Sequence, residues 1–367
     1  MRTSRILGVA ALASASLLLV PPTVTSASPG RAPVPKVVSS AVVAPSNLAM
    51  QGGHTYFADG GLELIGRVKK NGKYSTIAAK QPGASGIAFA KNGRSMAFTT
   101  TVTNMDTFEN TASGLHIWGT RGKRIYADTH AYEKKHNPDK VVRYGVKNPS
   151  ACVSEALGKA QIPVSYKGQV DSHSYSVAAV PGGWVVADAG SNTLWRVSDK
   201  GKISTLAVLP AQPTKFTKST AAALQLPDCV VGVTYRFEAV PTDVELGKDG
   251  RLYVTTLPGG PESPVLGARG KVYRVNLRTG KAKTVAKGFL GATNLALGKG
   301  GKIYVAELFG GKISVAHRGK VRPYVTLPGV VAVETSKSGK LWAATMGDPE
   351  NKVPGTIVKI VKGKVRK

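Results

Sequence analysis

Six stretches share one layout: NLAMQGGHTYFAD from Asn47, GIAFAKNGRSMAFTT from Gly86, SVAAVPGGWVVAD from Ser176, DVELGKDGRLYVTT from Asp243, NLALGKGGKIYVAE from Asn294 and VVAVETSKSGKLWAAT from Val330. Each is a short apolar strand, a glycine turn and a second apolar strand. A third strand follows, as in LWRVSD from Leu194, VYRVNL from Val272 and TIVKIV from Thr356, then a second Gly-Lys turn and usually a fourth strand such as ISTLAV from Ile203. Four antiparallel strands repeated six times predict an all-β fold, a six-bladed β-propeller. The chain ends with the stub KVRK where the last outer strand should be, whereas KVVSSAVV from Lys36 belongs to no repeat. The N-terminal strand is therefore expected to complete the sixth blade and to remove the open edge.

Composition agrees with this architecture. Among 367 residues are 42 Gly and 22 Pro, which suits many short strands and tight turns and excludes a helical bundle. A hydrophobic share of 42% excludes a disordered chain. Residues 1–27 carry Arg2 and Arg5, an apolar run from Ile6 to Val20, and the small residues Thr25, Ser26 and Ala27. They read as a signal peptide too short to span a bilayer. A secreted or envelope-associated, soluble and monomeric protein is expected, with a flexible mature start at 28–35 and one propeller domain at 36–367. Two insertions, 129–172 and 210–239, interrupt the repeats. Cys152 lies in the first and Cys229 in the second, and an even pair in an oxidising compartment predicts one disulfide stapling them.

The repeats are similar to NHL-type and regucalcin-type propellers in general. YEKKHNPD from Tyr132, then YSVAAVPGGWVVADAGSNTLWRVSDKGKISTLAVLP, then AVPTDVELGKDGRLYVTTLPGGPE, resemble the ScyD/ScyE family of exported bacterial propeller proteins. That resemblance covers most of the mature chain and implies export and the propeller fold, without an activity. The lysine-rich turns and the Cys pair are features of this chain and are not carried over from the family.

In a four-stranded antiparallel blade the turns joining strands one to two and three to four fall on one face of the ring. Those turns hold Lys70, Lys73, Lys91, Arg94, Arg121, Lys123, Lys200, Lys202, Lys248, Arg251, Arg278, Lys281, Lys299, Lys302, Arg318, Lys320, Lys337, Lys340, Lys362 and Lys364, against chiefly Asp199 and Asp249. The formal net charge is +29, and loss of Arg2 and Arg5 with the leader lowers it by two. Lysines on turns also serve simply as solvated surface, but a one-sided charge of this size attracts polyanions. The expected partner is an anionic envelope polymer, because the turns lack the interleaved aromatics that stack nucleic-acid bases.

The innermost strands, aligned by their repeats, bring Asn47, Gly86, Ser176, Asp243, Asn294 and Val330 to one level, with Ala49, Ala88, Ala178, Glu245, Ala296 and Ala332 two residues deeper. Glu245 stands out among alanines. Asp243, Glu245 and Asn294, with Asn47, have donor types suited to calcium, and resemble the oxygen-rich sites of regucalcin and gluconolactonase-like propellers. The second reading of the chain is accordingly a calcium-dependent hydrolase or lactonase acting on a small molecule. Equally, Glu245 could meet a basic side chain or water, and Asp243 backbone amides. A further column, Asp59, Thr99, Asp188, Thr256, Glu307 and Thr345, ends the second strands, where such residues bind ligands or cap turns. His173 is the best-placed histidine for the mouth of the channel. No GxSxG elbow or P-loop is present, and the paired His and Glu of streptogramin-type propeller lyases find no counterpart. Whether the protein is an enzyme stays open at this level.

Overall fold

The computed structural model describes residues 32–348 and 350–362. The leader assigned to 1–27 and the KVRK stub lie outside them. The chain is all-β, with seven four-stranded antiparallel sheets. Six begin at the six repeats, and the first five of these run in simple hairpin order. Sheet 1 comprises Pro45–Gln51, His54–Asp59, Leu64–Val68 and Tyr74–Ala79. Sheet 2 comprises Ile87–Phe89, Met96–Thr103, Asn110–Trp118 and Arg124–Asp128. Sheets 3, 4 and 5 start at Ser174–Val180, Pro241–Leu246 and Ala292–Leu297. Sheet 6 contains Val330–Thr335, Leu341–Thr345 and Gly355–Lys362, and takes its fourth strand, Pro33–Val42, from the N-terminus. That strand begins three residues before the expected Lys36, so 33–35 are ordered into the sheet rather than forming part of a flexible start.

First strands lie beside one another in the order of sheets 1 to 6, and that of sheet 6 lies beside that of sheet 1. Second strands are covered on both faces by neighbouring sheets, which is why they read as near-continuous apolar runs. All of Gly183–Asp188 is buried, with Trp184, Val185 and Val186 fully so. Outer strands face solvent, and Ser204 and Thr205 in Ile203–Val208 are exposed. The strands converge most tightly at Gly86, where a Cβ would lie 2.7 Å from Ser176 Cα and 2.8 Å from Thr99 Oγ1. Only glycine fits there.

A bulge shapes five of the six first strands. Register slips between Pro45 and Asn47, Ser174 and Ser176, Pro241 and Asp243, Ala292 and Asn294, and Val330 and Ala332. The extra residue re-aims one side chain. In sheets 1, 4 and 5 it is Ser46, Thr242 or Thr293, whose hydroxyl donates to a carbonyl of the next sheet, at Ser85, Ala292 or Val331, over 2.9 Å each. Ser85 in turn donates to the Ser174 carbonyl at 3.1 Å.

The seventh sheet was not expected, because the two insertions read as long loops. They instead pair with each other in the order Ser165–Lys167, Arg143–Val146, Thr234–Phe237 and Gln212–Lys215, two strands from each. The cause is period-two patterning on short segments. Tyr235 and Phe237 are buried while Thr234 and Arg236 are exposed. Two helices, Ala151–Lys159 and Lys218–Ala223, close a separate core of Val146, Val153, Leu157, Phe216, Val230 and Tyr235. The predicted disulfide, Cys152–Cys229, joins the two insertions, with Cα atoms 6.4 Å apart. No helix among the described residues is long and apolar enough to cross a membrane.

Candidate functional site

The innermost strands assemble a polar hub around Asp243. Its Oδ1 accepts from the Ser176 hydroxyl in sheet 3 and from Asn47 Nδ2 in sheet 1 at 3.4 Å, while Oδ2 accepts from the Leu295 amide of sheet 5 at 2.8 Å. One carboxylate therefore ties four sheets at the axis. Burial raises its pKa to about 6, although these hydrogen bonds pull the other way. Asn294 takes part in the same stitching, its Oδ1 accepting from the Val333 amide of sheet 6 at 2.8 Å. Asn47 and Asp243 thus meet as expected of neighbours on the axis. Asn294 lies on the same level with its oxygen already engaged.

The bulges correct the alignment of the deeper level. Thr345 pairs with Val330 as Asp59 pairs with Pro45, so Ala332, not Val330, is level with Asn47. Two residues on, Glu334 rather than Ala332 is level with Glu245. Repeat alignment missed Glu334 because it starts the sixth stretch at Val330, ahead of its bulge, whereas the stretches of sheets 1, 3, 4 and 5 start just after theirs. Glu334 accepts from the Thr335 amide at 2.5 Å, and Glu245 has no hydrogen-bond partner among the described residues. Both are half-buried at the axis. Burial pushes Glu334 up to about 8, with the Asp243 charge adding to it. Glu245 is raised well above the usual carboxylate range by burial, then by Glu334 and Asp243. Both carboxyls are thus shifted toward the protonated form by burial and by the neighbouring acidic charges.

A calcium site at Asp243, Glu245 and Asn294 fits these donors poorly, since Asp243 and Asn294 direct their oxygens at backbone amides and side chains of adjoining sheets. Among the described residues no three His, Cys, Asp or Glu side chains are grouped so as to hold a metal ion.

The column at the ends of the second strands is occupied by turn-locking groups. Asp188 is fully buried and accepts from Ser172 Oγ at 2.5 Å, the His173 amide at 2.8 Å, the Ser191 amide at 3.1 Å and Trp195 Nε1 at 2.8 Å. His173 is therefore held against Asp188 through its backbone, with its ring beside Tyr175, centroids 5.6 Å apart. Glu307 accepts from the Leu290 amide at 2.6 Å and from the Ser314 hydroxyl. Asp59 accepts from the Val43 and Ala44 amides at 2.9 Å each and so anchors the end of the N-terminal strand to sheet 1. Asp188 and Glu307 stand in separate sheets, each within its own turn.

Where the insertion sheet meets sheet 3, a second acidic group lies that sequence reasoning did not single out. Glu133 and Asp139, both within the YEKKHNPD stretch, are fully buried. Glu133 Oε2 accepts from the Asp171 amide at 2.9 Å, and Asp139 Oδ2 accepts from Tyr144 Oη and Asn192 Nδ2 at 3.2 Å each. Burial, then the Asp188 charge, pushes Glu133 up to about 9, and burial lifts Asp139 to about 6. Glu238 on the adjoining segment rises to about 7, by burial first and then the charges of Asp139 and Asp171.

The turn face is basic in three dimensions too. Of the twenty cationic positions named above, Lys364 lies outside the described residues and Lys302 is half-buried, while the other eighteen are exposed. Turns touch within and between sheets: the His317 ring lies 3.0 Å from the Gly300 carbonyl of its own sheet 5, and Thr335 Oγ1 of sheet 6 donates to the Leu297 carbonyl of sheet 5 at 2.8 Å. The charged turns of sheets 5 and 6 therefore share one surface.

No family model and no curated protein matches the sequence. Solved structures do match in shape. The PQQ-bound aldose sugar dehydrogenase of Streptomyces coelicolor is similar over 91% of this chain and 100% of its own, at 13% identity and a TM-score of 0.52. A glucose dehydrogenase is similar over 89% of this chain and 99% of its own, at 10% identity and a TM-score of 0.54. The virginiamycin B lyase of Staphylococcus aureus matches over 91% of this chain and 89% of its own, at 12% identity and a TM-score of 0.45. Identities this low carry the fold alone, and that fold is the β-propeller.

Proposed function

We propose that this chain is an exported six-bladed propeller of ScyD/ScyE type, closed by its N-terminal strand, that works as a binding or scaffold protein at the cell envelope. Its basic turn face docks on an anionic polymer. Six blades are supported by the chain-order adjacency of the first strands and by the pairing of Pro33–Val42 with Gly355–Lys362. Export is supported by the leader sequence and by the disulfide. The observation that carries the functional reading is the shared basic surface: exposed Lys and Arg on turns of every blade, with Asp199 and Asp249 as the chief acids among them. Such a surface raises the local concentration of a polyanion in a salt-dependent way. The inward-facing carboxyls support a scaffold rather than an enzyme, because Asp243 is engaged in holding sheets together and Asp188 and Glu307 in locking their own turns.

The test compares two variants with equal loss of charge. One carries Lys248→Gln, Lys299→Gln, Lys337→Gln and Lys340→Gln on the turn face. The other carries Lys134→Gln, Lys135→Gln, Lys140→Gln and Lys167→Gln on the insertions. On immobilised poly(glycerol phosphate), the first should elute at clearly lower salt than wild type and the second close to wild type. Equal shifts would mean that net charge alone is at work and that the face has no special role.

A further inference from the structure

A concave site lies away from the axis, on the insertion sheet. It is a cavity of about 490 Å³, within the size range of small-molecule sites. Its apolar lining is Val146, Val153, Val233 and the disulfide residue Cys229, and its two charges are Lys147 and Arg236. Both insertions build it: Val146, Lys147 and Val153 come from the first, Cys229, Val233 and Arg236 from the second. The central pairing of the sheet, Gly145 with Arg236 and Val146 with Tyr235, sets the two halves against each other. Gly145 adopts a φ of +82°, and a Cβ there would lie 2.4 Å from the Val164 carbonyl oxygen. Arg236 consequently has no side chain opposite it across the strand pair.

No acidic residue lines the cavity. Lys147 and Arg236 are exposed, and their side chains have no hydrogen-bond or ion-pair partner among the described residues. Two unneutralised cations beside an apolar wall are complementary to an anion that carries an apolar body. A guanidinium is suited to a planar carboxylate through two parallel N–H donors, and the ammonium adds a point charge. The site is an open concavity whose volume is that of a small-molecule site.

We infer that the insertion sheet carries a binding site for a small carboxylate with an apolar body, held by Arg236 and Lys147 at the charged end and by Val146, Val153, Val233 and Cys229 along the apolar end. This site is separate from the turn face proposed to bind polyanions, because the insertions connect blades at the opposite end of the strands.

The probe is octanoate, titrated by calorimetry into the full mature chain, with octanamide, N-acetyl-leucine and inorganic phosphate as comparison ligands. Saturable octanoate binding is expected, at least tenfold weaker for octanamide and for Lys147→Gln or Arg236→Gln. The turn-face quadruple variant should bind octanoate as wild type does. N-acetyl-leucine binding better than octanoate would identify the carboxylate source as a peptide-like acid rather than a fatty acid. Thr234→Trp, at an exposed lining position, leaves both charges in place and should block entry. The inference is overturned if octanoate shows no saturation at millimolar concentration, if both charge variants and Thr234→Trp bind unchanged, or if phosphate displaces octanoate equally well.

Discussion

Glu334→Gln should stabilise the protein, and only above the acid range. In the folded chain the Glu334 carboxyl has its pKa raised from 4.5 to about 8, chiefly by burial. A raised folded pKa means that the folded state binds the proton more tightly than the unfolded one. The associated stability is complete below pH 4.5 and is lost as pH rises through 8. At pH 7 the wild-type chain has lost about 3 to 4 kcal/mol of it, two and a half pH units at roughly 1.4 kcal/mol each. Glutamine keeps the shape and the acceptor for the Thr335 amide and has no proton to lose. Urea denaturation suits the measurement because urea adds no ionic screening. Midpoints at pH 4.5, 6, 7 and 8 should coincide for the two proteins at the acid end and separate progressively, by about 3 to 4 kcal/mol at pH 7 if the interior does not relax. A constant offset at every pH would show that packing is responsible and would refute the protonation argument.

Three further outcomes are expected. Replacing both Cys152 and Cys229 by Ala should lower stability by about 4.5 kcal/mol in the chain-entropy treatment, given their sequence separation of 77; a loss below about 1 kcal/mol in urea melts would show that the insertion sheet holds together by its own core. Asp188→Ala leaves Trp195 Nε1, two amides and the Ser172 hydroxyl without their acceptor, and should destabilise by about 3 to 5 kcal/mol; near-wild-type thermal melting would contradict the structural role assigned to that carboxylate. Calcium at millimolar concentration, and EDTA, should leave the thermal midpoint unchanged in wild type and in Glu245→Gln. A calcium-dependent rise lost in Glu245→Gln would instead support the hydrolase or lactonase reading, since ligand at 100 times its dissociation constant adds about 2.7 kcal/mol.

The repeat layout was legible because apolar alternation and glycine turns are local signals, and they located all six first and second strands. The orphan strand near Lys36 was legible by elimination. Two things were not. The sixth stretch was started at Val330, ahead of its bulge rather than after it as in sheets 1, 3, 4 and 5, so the level containing Glu334 came out two residues off. The seventh sheet depends on Arg143–Val146 meeting Thr234–Phe237, segments of four residues far apart in the chain. Period-two patterning over four residues is visible once the partner is known, but is too short to predict the pairing. The roles of Asp188 and Glu307 illustrate a third limit. Sequence placed them at strand ends, whereas only the donors around them distinguish a turn lock from a ligand site.

The partition of charge joins the interior to the proposed docking surface. Asp59, Glu133, Asp139, Asp188, Asp243 and Glu307 are buried, and no Lys or Arg among the described residues is. Six of the 21 acids are thus withdrawn from the surface while the described bases remain partly or fully outside. Moreover, Glu133, at about 9, and Glu334, at about 8, are largely protonated at pH 7, and burial shifts Glu245 in the same direction. The protein at neutral pH is therefore more positive than its formal +29. A fold that uses acids to tie sheets at its axis and turns leaves bases uncompensated outside, and it strengthens the field of the turn face without adding a single lysine.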